Sequence, residues 1–293
     1  MPVAPYRPAD LRGQVFRGSV AVAGGRLTRA HLRSRAWQRV YRDVYACMSL
    51  ELTHEVRAVA AARLLLPGAV VSGRSAAVLW GIDAAGADHD VELTVPSGSS
   101  ACSVPGVRVR RRDLDPAAVR LRRRTPTTTP AETAVDVGRE RGAIEDSVAV
   151  VDALVVVGHA ELSAVRRAAA DSCGPGCRRA RRVADLADGL AGSPQETRLR
   201  LLIHSSRLPR PVAQHEVRDV DGRFVARVDF AWPEHRLALE YEGAWHGAPQ
   251  QVGKDRARLN RLTACGWRVV FVTAADLHDP VRLIARIAAA LSR

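Results

Sequence analysis

Asp229, with Glu240 and Glu242 one turn further along the chain, are the residues best suited to chemistry in this sequence. They lie in Val225-Ala-Arg-Val-Asp-Phe-Ala-Trp232 and Arg236-Leu-Ala-Leu-Glu-Tyr-Glu242, which read as two short strands joined by a turn at Trp232-Pro233-Glu234. Side chains alternate along a strand, so Leu237, Leu239 and Tyr241 take one face and Arg236, Ala238, Glu240 and Glu242 the other. Two carboxylates then stand one pleat repeat apart, and Asp229 joins them from the neighbouring strand. Like charges so close raise one another's pKa, and a cation or an arginine between them relieves the repulsion. A bland alternative stands beside each: Glu240 and Glu242 as a solvated strand face, Asp229 paired with Arg227 or Arg236, and Trp245-His246-Gly247 as a structured loop.

The elements that would position these acids can be read outward from them. Ser193, Pro194 and Glu196 form a capping box at N-cap, N1 and N3, opening a helix with Leu199, Leu202 and Ile203 as its buried stripe. Strands are expected over Gln214–Val220 and Phe224–Ala231, separated by a tight turn at Asp221-Gly222. After the Arg236–Glu242 strand comes a helix over Val252–Ala264, a stop at Gly266, a buried strand over Trp267–Val272 and a closing helix from Pro280. The order is α-β-β-β-α-β-α. Lys254, Arg258 and Arg261 recur at helical spacing and make one basic stripe, which suits a phosphate backbone and equally a plain surface helix.

That order, with Asp229 and Glu240 on adjacent central strands, resembles the PD-(D/E)XK nuclease superfamily. More closely, the segments 227–246 (RVDFAWPEHRLALEYEGAWH) and 259–277 (LNRLTACGWRVVFVTAADL) resemble an uncharacterised bacterial family related to very-short-patch repair endonucleases. The resemblance covers residues 193–293 and implies phosphodiester hydrolysis assisted by Mg²⁺ or Mn²⁺. Such a hard cation takes oxygen ligands, neutralises charge on the scissile phosphate and helps generate the attacking hydroxide. By matching motifs, the resemblance makes Asp229, Glu240 and Glu196 the metal ligands, with Glu196 also open to a capping role alone. His246 matches the histidine that acts near the metal-bound water. The superfamily's usual lysine, two residues after the second acid, is replaced by Glu242. His246, titrating near neutral pH, is one substitute as general base, and Glu242 as a second-metal ligand is the other option.

Upstream, residues 1–50 read as a small helical unit followed by a β hairpin. Thr28 is placed to cap a helix after Gly24-Gly25, and Trp37–Tyr45 alternates as a hairpin does. Two or three helices and a hairpin would make a winged helix that carries Arg29, Arg33 and Arg35 to DNA. The stretch from Gly24 to Tyr45 resembles the N-terminal DNA-binding domain of type IV toxin–antitoxin (abortive-infection) antitoxins. Residues 51–192 read as a mixed α+β region and linker. It includes a helix capped by Ser72 and an alternating Val-Arg strand pattern at Val107–Arg110 that either contacts phosphate or is simply half exposed. Ser75 has no evident base partner in sequence, so packing explains it. Cys173-Gly-Pro-Gly-Cys177 lacks a second Cys/His pair at zinc-finger spacing.

The whole chain fits this reading. At 293 residues it has room for two domains, and 47% hydrophobic with 26% charged residues is ordinary for a globular protein. The net charge is +13, and every basic residue but Lys254 is arginine, which favours a polyanionic partner. No targeting signal or membrane span is evident, so a cytoplasmic protein is expected. The expected fold class is α/β: a restriction-endonuclease-like domain behind a winged-helix-like region. The expected function is metal-dependent cleavage of DNA. The alternatives are a non-catalytic DNA-binding regulator or antitoxin with a degenerate nuclease fold, and RNA processing; a toxin partner or self-association stays open.

Overall fold

The computed structural model describes residues 5–243 and 249–293, with backbone alone at 249–252 and 254–255. The chain is a mixed α/β protein and forms two compact units, Met1–Glu140 with His159–Ala184, and Arg141–Gly158 with Asp185–Arg293. Among the described residues no helix is long and apolar enough to cross a membrane.

The first unit opens with β1 (Val15–Arg17), α1 (Gly18–Ala23), β2 (Trp37–Tyr41) and β3 (Val44–Cys47), whose strands pair antiparallel in the order β1-β3-β2. Leu11, Phe16, Leu27 and Trp37 make its core, Phe16 meeting Trp37 edge-on at 5.0 Å. The helix expected after Gly24-Gly25 does not form. His31–Arg33 is a single 3-10 turn, closed by Thr28 Oγ1 accepting the His31 N–H at 3.1 Å. Leu27 and Leu32 alone cannot build a helical apolar stripe, and buried Trp37 draws the chain into β2. Arg29, Arg33 and Arg35 are therefore exposed on a turn and its flanks rather than along a helix.

The rest of this unit comprises α2 (His54–Ala60), which continues as a π-helical turn at Ala61–Leu65, then β4 (Val70–Val71), α3 (Gly73–Leu79), β5 (Val91–Val95), β6 (Val107–Arg111), β7 (Val119–Arg122), β8 (Thr125–Thr128) and α4 (Pro130–Gly138). Its strands form one sheet ordered β6-β5-β4-β8-β7. Val71, Leu79, Leu93 and Val107 lie in the core beside it. Ser72 occupies the N-cap of α3, but its hydroxyl accepts from Thr94 and does not cap. The Glu92 carboxylate does that work, taking the Arg74 N–H at 2.7 Å. It lies so close that a Cβ on Gly73, whose φ is +56°, would overlap it. Arg108 and Arg110 reach Glu92 and Glu140, so the Val-Arg pattern of β6 builds an ion-pair cluster. Ser75 does have a base partner: His54 Nε2 lies 2.7 Å from its hydroxyl. Both are buried, Ser75 also accepts the Glu92 N–H, and burial holds His54 neutral by lowering it to about 4. The pair fastens α2 to α3.

The chain then forms α5 (Ile144–Val156), a helix of the second unit, and returns for α6 (Leu162–Asp171) and most of α7 (Cys177–Leu186). Cys173 and Cys177 are both free thiols.

The second unit follows the expected order: α8 (Pro194–Ser205), β9 (Val212–Arg218), β10 (Phe224–Trp232), β11 (Leu237–Tyr241), α9 (Pro249–Ala264), β12 (Arg268–Val272), a short α10 (Ala274–Leu277) and α11 (Pro280–Leu291). The sheet is ordered β12-β11-β10-β9 and is antiparallel except between β11 and β12, whose α9 crossover makes them parallel. One face packs Phe230, Trp232, Leu237 and Leu239 against Leu199 and Ile203 of α8 and Leu283 and Ile287 of α11. The other packs Val217, Ala226, Val228 and Ala238 against Leu262 of α9. Asp152 bolts α5 to this body, accepting from Thr197 and Arg200 at 2.8 Å each and from the Asp188 and Gly189 N–H groups.

Candidate functional site

The ladder between β10 and β11 ends at the pair Phe230↔Leu239. One step beyond, Asp229 replaces the missing backbone acceptor, its Oδ2 taking the Tyr241 N–H at 2.8 Å. Glu196 reaches the same place from the first turn of α8. Ser193 Oγ accepts the Glu196 N–H at 3.2 Å, as the capping box predicts. The Glu196 carboxylate, however, reaches past the N-cap to the Gly192 N–H at 2.8 Å and to Gln214 Nε2 at 3.0 Å. Both donors land on Oε2. Among the described residues, none is directed at Glu196 Oε1 or at Asp229 Oδ1. Each acid is thus fixed by one oxygen and open at the other. Burial, and then the negative charge of Glu196, pushes Asp229 up to about 6, against the Tyr241 N–H and the charges of Arg258 and Arg227.

Glu240 takes a different partner. It is 8% exposed and gripped by Arg258 of α9, Nη1 to Oε2 at 2.8 Å and Nη2 to Oε1 at 2.5 Å. Arg258 Nη2 also donates to the Arg227 carbonyl at 2.8 Å. Arg258, expected in the basic stripe, holds a carboxylate, because α9 covers the sheet face on which Glu240 stands. Glu240, expected as a metal ligand, meets an arginine here. Among the described residues, no group of three or more His, Cys, Asp or Glu is arranged to hold a metal ion.

Glu242 is exposed, its backbone N–H closing onto the Val272 carbonyl at 2.7 Å. Arg261 is exposed on α9, and Arg29 and Arg33 on the first unit. His246 and the Lys254 side chain lie outside the described residues. The structure therefore brings Glu196 and Asp229 together, and pairs Glu240 with a base.

No family model matches the chain. Two Mycobacterium tuberculosis proteins, the uncharacterized protein Rv2248 of strain H37Rv and the uncharacterized protein MT2308 of strain CDC 1551, are each 34% identical to it over 265 residues. The matches span 87% of this chain and 92% of theirs. The chain belongs to their family. A likeness to the crystal structure of the RV2827C protein from M. tuberculosis covers 68% of this chain and 76% of that one, at 18% identity and a TM-score of 0.38, too slight to bear on fold or function.

In this member of the Rv2248 family, two site residues escape a reading of the sequence. Gln214 gives no signal, since a glutamine in a strand is ordinary, yet its φ is +51° and its amide holds Glu196. Gly192 is legible only as a helix-entry glycine, but a Cβ there would lie 3.4 Å from Glu196 Oε1.

Proposed function

We propose that the chain is a divalent-metal-dependent endonuclease that hydrolyses DNA phosphodiester bonds in its second unit. The observation that carries this reading is the Glu196–Asp229 pair: two acids held together, each pinned by one oxygen with no donor on the other among the described residues, and Asp229 raised by burial and then by Glu196. The donor set suits Mg²⁺ or Mn²⁺, being all carboxylate oxygen. Bound there, the cation would screen the scissile phosphate and lower the pKa of water. Asp229 and Glu196 would hold it through the oxygens that take no other donor among the described residues. In this reading Arg258 fixes Glu240, Glu242 stands at the superfamily's lysine position, and His246 would take the proton from water. The element order supports a restriction-endonuclease-like architecture for this unit, and β1, α1 and the β2–β3 hairpin support a reduced winged-helix reading upstream.

One observation favours a second reading, a non-catalytic DNA-binding regulator. Glu240 is neutralised by Arg258, as in a nuclease fold that has lost its metal. The two readings separate when the chain is incubated with duplex, nicked, mismatched and single-stranded DNA and with RNA, in Mg²⁺, Mn²⁺ or EDTA. Metal-dependent cleavage that Asp229→Ala and Glu196→Ala abolish is the expected result. Salt-sensitive binding without cleavage selects the regulator, and cleavage of RNA alone replaces the substrate.

A further inference from the structure

We infer that Gln214 is the positioning residue of the acidic pair, setting both the backbone that delivers Asp229 and the oxygen of Glu196 that stays open. The inference rests on the metal-site reading above.

Gln214 sits inside β9 with φ +51°, a left-handed conformation that a non-glycine residue adopts only under constraint. Its effect shows in the two strands it joins. Val228 pairs with His215 and Phe230 with Ala213, so the register runs unbroken across Gln214 and Asp229. The faces nevertheless change there. Ala226 and Val228 pack on the α9 side with Val217, while His215 lies against Trp267 of that same side. Phe230, Trp232 and Ala213 pack on the side of α8 and α11. In a regular strand Val228 and Phe230 would share a face. The switch occurs at Gln214 and Asp229, so both leave the regular alternation that would fix Asp229 to one face of the sheet. Asp229 lies instead at the ladder's end, within reach of the Glu196 charge and bonded to the Tyr241 N–H. The Gln214 amide finishes the arrangement by donating to Glu196 Oε2 at 3.0 Å, beside the Gly192 N–H. A strained residue that orients one acid through its backbone and the other through its side chain is a support of the kind that tunes metal ligands.

The test uses the full chain, with Mn²⁺ binding followed by calorimetric titration and stability by thermal melting. Gln214→Gly keeps the left-handed backbone without steric cost and removes the amide. Gln214→Leu keeps the bulk and removes the amide. Both are expected to retain a cooperative melt while binding Mn²⁺ about tenfold or more weakly than wild type. Gln214→Gly is expected to melt no lower than wild type, because the strain is gone. Wild-type Mn²⁺ affinity in both variants overturns the inference and leaves the metal reading standing. A lower melting temperature with unchanged affinity assigns Gln214 a purely structural part and overturns it too. Wild type that binds no Mn²⁺ removes the metal reading and this inference together.

Discussion

Asp229 is the residue at which fold and chemistry conflict. Its carboxyl prefers to be neutral up to about pH 6, because burial and Glu196 oppose its charge. An unfolded chain releases that proton near pH 4. Between these values the folded chain binds more protons than the unfolded one, so stability falls as pH rises through the window and stays lower above it. The full shift corresponds to at most about 3 kcal/mol, less at a half-buried group that water screens. Asp229→Asn is therefore expected to stabilise the metal-free protein by about 1–2 kcal/mol at pH 8 and to change little near pH 4, as read from urea unfolding at the two pH values. At this scale the sequence discloses acids well, because Asp and Glu at strand spacing are rare enough to notice. It does not disclose what neutralises them. Arg258 reads as one more surface arginine until α9 is seen lying over Glu240, and the left-handed backbone at Gln214 leaves no mark in residue type.

Among the elements, those of the second unit were legible because each carries its own punctuation. Ser193-Pro194 opens α8 and Gly266 stops α9, while alternation marks β10 and β11. The turn at His31–Arg33 stays a single 3-10 turn where the capping signal of Thr28 points to a helix, because the segment lacks an apolar stripe and buried Trp37 takes the chain into β2. Asp152 is the instructive case. In sequence it merely interrupts an apolar run; in the structure it is 1% exposed and joins α5 to α8 through Arg200 and Thr197. Removing one member of such a pair strands a buried charge. Asp152→Ala is expected to cost about 3–5 kcal/mol, seen as a lower urea midpoint for the second unit. Arg198, which pairs with half-exposed Asp146, makes the control: Arg198→Ala is expected to cost about 1 kcal/mol or less.

The molecule as a whole carries +13, but some of its arginine is committed to internal ion pairs: Arg108, Arg110 and Arg112 to the carboxylates around α4, Arg200 to Asp152 and Arg258 to Glu240. The charge left for a nucleic acid sits on exposed residues such as Arg29, Arg33 and Arg261. If DNA is the partner, binding weakens with salt, and each lost phosphate contact lowers the logarithmic slope by about 0.9. Arg29→Gln with Arg33→Gln is expected to lower it by about 2, measured by filter binding over a salt series without divalent metal. Charge was legible from composition. The path of the chain was not, because nothing in the sequence of α5 says that it belongs with α8 rather than with its neighbours. That path has a consequence during synthesis. On the ribosome α5 emerges with Val148, Val151 and Leu154, all buried in the folded protein, and some fifty residues must follow before α8, which packs on this helix, has been made. At bacterial elongation rates that is a wait of about 2–10 s. An apolar helix exposed for so long is a target for chaperones, and a fragment beginning at residue 193 would be born without it, its Arg200 facing no carboxylate of α5.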